Sequence, residues 1–136
     1  MSAETPQAYD DLLDAYRRVS NLGSAVGVLS WDQQVTMPEG GGPARSQQLS
    51  TLSGLKHELL TDDAIVDALE QAGEAELSDE QQAVVREIRR EHERAAAVPQ
   101  ELIEQISATS SEALEAWESA KADSDFSQFA PVLEEL

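Results

Sequence analysis

Residues 78–96, SDEQQAVVREIRREHERAA, decide how the fold is read. Ser78 precedes Gln81 by three positions, the spacing of a capping box in which each side chain satisfies the other residue's backbone N–H at the start of a helix. Val84, Val85, Ile88, His92 and Ala95 then recur at helical steps, which places them on one buried face. Val98 and Pro99 punctuate the chain, because proline cannot continue the hydrogen-bond ladder.

Upstream of this helix the same period repeats. Thr5 as cap with Pro6 at the first helical position opens a long helix, running to about Trp31. It carries Tyr9, Leu12, Leu13, Tyr16, Val19, Leu22, Val26 and Leu29 on one stripe. The run Met37-Pro38-Glu39-Gly40-Gly41-Gly42-Pro43 breaks it, and Leu49, Leu52, Leu55 and Leu59 define a second helix. Thr61 is the expected cap of a short third helix, with Asp62 and Asp63 against its N-terminal dipole, Ile65, Val66 and Leu69 facing inward, and an end near Gly73.

Downstream, a fifth helix from Pro99 carries Leu102, Ile103, Ile106, Ala113, Leu114 and Trp117. Asp125 then caps a last segment with Phe126, Phe129, Val132, Leu133 and Leu136. That stripe is unfinished at Leu136 and has no closing cap, so a truncated chain or fragment is expected. Strand signals are almost absent. The reading is an all-α antiparallel array of five or six amphipathic helices, a single helical domain over residues 1–136 or a piece of one.

Composition narrows the function. There are 27 Asp plus Glu against 9 Lys plus Arg, a formal charge of -18. Nucleic acid and anionic membranes are excluded as partners, because phosphate contacts need clustered cations. With no cysteine there is no disulfide, thiolate zinc site or thiol nucleophile. The polar, acidic start is no secretory signal, and a cytoplasmic location is the default. On a folded surface of roughly 7,000 Å² the carboxylates stand about 16 Å apart, so self-repulsion opposes compaction until salt screens it. A salt-rich cytoplasm is expected, with an ordinary acidic protein as the alternative.

Each motif has a structural explanation beside a chemical one. Gly23 and Gly27 inside the first helix cost roughly 2 kcal/mol relative to alanine, which close approach of a neighbouring helix would offset; a hinge is the alternative. Gly40–Gly42 precedes a helix as phosphate loops do, but it lacks the Gly-Lys-Ser/Thr ending and reads as a turn. Trp31 and Asp32 read as a helix-end anchor, the ring packed and the carboxylate on free backbone amides, with a catalytic Asp32 as the sharper alternative.

His57-Glu58 and His92-Glu93 each begin like His-Glu-x-x-His, but Thr61 and Ala96 occupy the second histidine position. A split zinc site joining His57, His92 and a carboxylate is one reading; for His92, which follows Val84 and Ile88 at four-residue steps, the other is a core histidine with one hydrogen bond. Arg86, Arg90 and Arg94 form a stripe, either paired with Glu87, Glu91, Glu93 or an acidic neighbour, or free to dock a carboxylate or partner. No residue is assigned as catalytic, cofactor-binding or metal-ligating.

The run Leu29-Ser30-Trp31-Asp32-Gln33, Met37-Pro38, the glycine turn, Arg45, Gln48, Leu49, Leu52, Leu55, His57-Glu58 and Thr61-Asp62 resembles the opening of the carboxypeptidase Taq family of zinc metallocarboxypeptidases. Arg86, Arg90, Arg94, Val98-Pro99, Glu101-Leu102, Trp117, Ala120, Asp125-Phe126, Phe129, Pro131 and Leu133 follow the same pattern in the same order. The resemblance covers nearly the whole chain. It implies a mostly helical parent several times longer, removing C-terminal residues from peptides one at a time with zinc held downstream by His-Glu-x-x-His.

This chain would then be the N-terminal helical part that helps wall the substrate groove. Zinc is expected in the full-length parent and no cofactor here, with peptide as the parent's substrate and a possible homodimer. The competing class is a non-enzymatic acidic helical module that docks a basic partner.

Overall fold

A computed structural model of the chain describes residues 6–136. It contains α1 (Gln7–Val35), α2 (Gly42–Thr61), α3 (Asp63–Glu74), α4 (Asp79–Ala96), α5 (Gln100–Asp123), a 3₁₀ turn (Phe126–Gln128) and α6 (Ala130–Glu135). The chain is all-helical as the sequence predicts, with no strand among the described residues. None of these helices is long and apolar enough to cross a membrane.

Helix ends follow local chemistry, with three corrections. The Pro6 carbonyl accepts from Tyr9 N–H (2.9 Å) and Asp10 N–H (3.3 Å), so Pro6 lies just outside α1 and not at its first position; Thr5 falls outside the described residues. α1 continues past Trp31 because the Asp32 carbonyl takes the N–H groups of Thr36 (3.0 Å) and Met37 (2.9 Å), closing one more turn. Thr61 does not cap α3: it ends α2, its hydroxyl donates to the His57 carbonyl (2.9 Å), and the Asp62 carboxylate accepts from Ala64 N–H (2.8 Å) in its place.

The Ser78–Gln81 capping box forms in both directions. Asp125 caps the 3₁₀ turn, accepting from Ser127 N–H (3.0 Å) and its hydroxyl (2.6 Å), and these bonds hold its carboxyl below the usual range.

Two compact units are distinguished. The first holds the chain up to Gly23 together with Leu55–Pro99. Its core is Leu12, Ile65, Ala68, Leu69, Ala72, Val85 and Ile88, with Tyr9, Leu13, Tyr16 and Leu77 packed around it. Leu12, Ile65, Leu69 and Val85 belong to the stripes read from the sequence, whereas Val84, read as inward, is exposed.

The second unit holds Ser24–Gly54 and Gln100–Leu136. Here the helices meet through small residues. Ser46 Oγ donates to the Ala108 carbonyl (3.2 Å), Ser50 Oγ to the Glu104 carbonyl (3.1 Å), and Ser53 and Ser107 share a hydroxyl bond (3.0 Å). The buried residues of α5 are Ser111, Ala113 and Ala120. Leu102, Ile106 and Trp117, expected inside, are therefore left exposed, as are Phe126, Leu133 and Leu136.

Candidate functional site

In the second unit, Asp32 and Gln33 leave the last turns of α1 toward different partners. Arg45 of α2, whose side chain is only 12% exposed, places Nη2 2.7 Å from Asp32 Oδ2. It donates Nη1 to the Leu29 carbonyl (2.5 Å) and Nε to Gln48 Oε1 (3.1 Å). The guanidinium fork thus ties a carboxylate, a main-chain carbonyl and an amide together. The Thr36 hydroxyl donates to Asp32 Oδ1. Gln33 Nε2 donates to Ser111 Oγ (2.8 Å) and to the Ser111 carbonyl (3.2 Å), tying α1 to α5.

The hydroxyl of Thr36 and then the guanidinium of Arg45 hold the Asp32 carboxyl below its ordinary value. A general base works best with a pKa near the operating pH, so this carboxylate is tuned away from proton abstraction and serves as an anchor. The sequence reading of Trp31 and Asp32 is corrected in detail. Trp31 is exposed, and the Asp32 side chain binds a cation and a hydroxyl where backbone amides were expected.

Beside this clamp, Gly40 turns with φ +86°, and the Glu115 carboxylate lies against Gly42 at the start of α2, where a Cβ would overlap it. The positive end of the α2 dipole thus faces a carboxylate of the chain itself, which leaves no phosphate cradle.

In the first unit both histidines are engaged with backbone. A carbonyl can only accept, so each bonded ring nitrogen carries the proton. His57 Nε2 donates to the carbonyls of Ala95 (2.9 Å) and Val98 (2.8 Å), and its buried Nδ1 has no partner. His92 Nδ1 donates to the Leu60 carbonyl (2.9 Å). Three-ligand groups of His, Asp or Glu are absent among the described residues. The residues present do not fit zinc, and the joined His57–His92 site is replaced by two separate bonds to helix-end carbonyls.

The sequence reading missed a third cluster. The Tyr16 hydroxyl donates to Glu91 Oε2, and Lys56 Nζ lies 3.3 Å from Glu91 Oε1. Burial, followed by the bond to Glu91 and its charge, pushes the Tyr16 hydroxyl up to about 12. A proton held that firmly makes Tyr16 a structural donor. The available signal was Tyr16 on the buried stripe of one acidic amphipathic helix, but nothing local identifies Glu91 as its partner.

The arginines do not act as one stripe. Arg90 and Arg94 line a groove with Tyr16, Glu87 and Glu91, and Arg90 reaches Glu87 only at 3.9 Å on the surface. Arg86 lines a different groove with Arg89, whose Nη2 donates to the Leu69 carbonyl (2.9 Å). The glycine notch is also corrected: a Cβ at Gly23 would meet only the Lys56 side chain at 3.7 Å, and one at Gly27 would meet nothing within 4 Å.

Over 126 residues the chain is 41% identical to thermostable carboxypeptidase 1 of Pyrococcus furiosus, covering 92% of this chain and 25% of that protein. It is 34% identical to thermostable carboxypeptidase 1 of Thermus thermophilus over 97% of this chain and 27% of that protein. A solved structure of the Pyrococcus furiosus carboxypeptidase superposes with a TM-score of 0.74 at 39% identity, covering 97% of this chain and 27% of that one. The chain thus spans about a quarter of the length of the curated relatives it matches. Residues 11–136 match the model of the carboxypeptidase Taq (M32) metallopeptidases, and the chain belongs to that family.

Proposed function

We propose that this chain is the N-terminal helical part of a longer zinc-dependent carboxypeptidase that trims peptides from the C-terminus. It helps to wall the substrate groove and performs no chemistry of its own. The observation that carries this reading is the match over residues 11–136 to a metallopeptidase family whose curated carboxypeptidases are about four times longer. The side chains support it: Asp32, Arg45, Gln33, His57 and His92 are spent on joining helices. We further propose that the parent enzyme works in a salt-rich cytoplasm, an inference from the net charge of -18, and as a homodimer, an inference from the family resemblance alone.

The test is hydrolysis of an N-blocked dipeptide in molar KCl with added zinc. The 136-residue chain is expected to release no free amino acid above buffer, while a reading frame extended past Leu136 is expected to encode His-Glu-x-x-His and a chelator-sensitive activity. Release of a C-terminal residue by the short chain alone, with contaminating proteases excluded, overturns the proposal.

A further inference from the structure

Between the end of α3 and the first half of α4 runs a groove of about 400 Å³. In a chain with 27 carboxylates, no carboxylate lines it. Its polar lining residues are Arg86, Arg89 and Gln82, whose amide donates to the Leu77 carbonyl (3.0 Å); its apolar wall includes Ala75, Leu77 and Val85. Arg86 and Arg89 stand three residues apart on α4, close enough for like charges to repel by a few tenths of a kcal/mol.

Among the described residues neither arginine stands at ion-pair distance from a carboxylate. Arg89 spends Nη2 on the Leu69 carbonyl, which fixes the plane of its fork, and Arg86 has no side-chain hydrogen bond among the described residues. The rest of both forks is available.

We propose that this groove binds a small carboxylate bearing a short apolar group, the chemistry of a peptide C-terminus or an N-blocked amino acid. A planar guanidinium matches a carboxylate through two parallel N–H bonds, and an anion here relieves the repulsion between the arginines. The volume lies within the range of small-molecule sites, and the Ala75, Leu77 and Val85 wall takes a methyl-sized side chain. The inference rests on this groove alone and not on the peptide-trimming reading.

The experiment is a ¹H–¹⁵N titration of the 136-residue chain with N-acetyl-L-alanine at constant ionic strength in KCl. It follows the Gly73 amide and the Nε–H groups of Arg86 and Arg89. Saturable shifts with a millimolar midpoint are expected, with at least about tenfold weaker binding of N-acetyl-L-alanine amide and of inorganic phosphate. Arg86→Gln is expected to weaken binding about fivefold or more while leaving Tm unchanged, since Arg86 holds no structural bond. Equal binding of the amide or of phosphate, an undiminished response in Arg86→Gln, or no saturable shift overturns the proposal.

Discussion

His57 and His92 cap each other's helices. The His57 ring, on the last turns of α2, donates Nε2–H to the Ala95 and Val98 carbonyls at the end of α4, and the His92 ring of α4 donates Nδ1–H to the Leu60 carbonyl at the end of α2. The last carbonyls of a helix lack an i+4 donor within it, so each ring adds a donor at the end of the other element, although the Ala95 carbonyl also accepts from Val98 N–H (3.0 Å) and Val98 lies two residues past α4.

The two rings use different nitrogens, which makes the arrangement testable by amide mimicry. Alanine at either position is expected to cost about 1–3 kcal/mol, read as a lower urea midpoint. His57→Gln and His92→Asn, whose amide nitrogens stand where Nε2 and Nδ1 stand, are expected to recover part of that loss. His57→Asn and His92→Gln are expected to recover less, and equal recovery by all four would rule out the assigned tautomers.

This exchange marks the limit of what was legible in the sequence. The Ser78–Gln81 box and the helical stripes are local, and they appear as read. His57 and its acceptors Ala95 and Val98 lie roughly forty positions apart, a pairing that periodicity cannot reveal. Asp32 with Arg45 fails differently: the sequence marks Asp32 as an anchor, but what an acidic side chain bonds is decided by the neighbouring helix. On α5 the small residues won the buried face. Serine and alanine let α2 approach closely and pay their polarity back in hydroxyl bonds, so Leu102 and Trp117 stayed outside against the usual rule.

The Arg45 fork predicts a substitution outcome and an acid limit. Arg45→Lys keeps the charge but cannot reach Asp32, the Leu29 carbonyl and Gln48 together, and is expected to cost about 1–3 kcal/mol in urea unfolding. Because the folded Asp32 carboxyl is lowered, its contribution is present above the unfolded carboxylate pKa of about 3.9 and is lost as pH falls through the lower folded value. The stability gap between the wild type and Asp32→Asn should hold from neutral pH to about 4 and close below it. A gap that closes near neutral pH contradicts the assignment.

Tyr16 sets the opposite limit. Its hydroxyl, pushed up to about 12 in the fold, lies above the ordinary tyrosine value of 10.0, so its contribution is complete below pH 10 and is lost between there and about 12. The advantage of the wild type over Tyr16→Phe in urea midpoint should be flat to pH 10 and shrink beyond it. A gap independent of pH up to 12 would leave the Glu91 bond without energetic weight.

Gly27 is a helix-interior glycine with open space where a Cβ would stand. Gly27→Ala is therefore expected to raise stability by about 0.5–1 kcal/mol through backbone entropy, seen as a Tm a few degrees higher. At Gly23 the added methyl reaches the Lys56 chain at ordinary contact distance, and the same sign is expected there. A lower Tm in Gly27→Ala would show that another molecule covers this face.

The acidic surface predicts the response to salt. Asp67, Glu70 and Glu74 follow one another at three- and four-residue steps along α3, all exposed and with no ion pair among the described residues, each neighbouring pair destabilising the helix by a few tenths of a kcal/mol. Among the described residues only Arg17, Arg45, Lys56 and Arg90 stand at ion-pair distance from a carboxylate. Raising KCl from about 0.1 to 1 M shortens the screening length from about 10 to 3 Å and removes most of the repulsion among the remaining carboxylates. Tm is expected to climb over that range. The double variant Glu70→Gln/Glu74→Gln, which removes two charges from the stripe, should start higher at low salt and climb less. The difference between the two slopes isolates charge screening from any effect of KCl on apolar burial, because both proteins bury the same core. A Tm that falls as KCl rises, or two parallel slopes, defeats the salt-adapted reading.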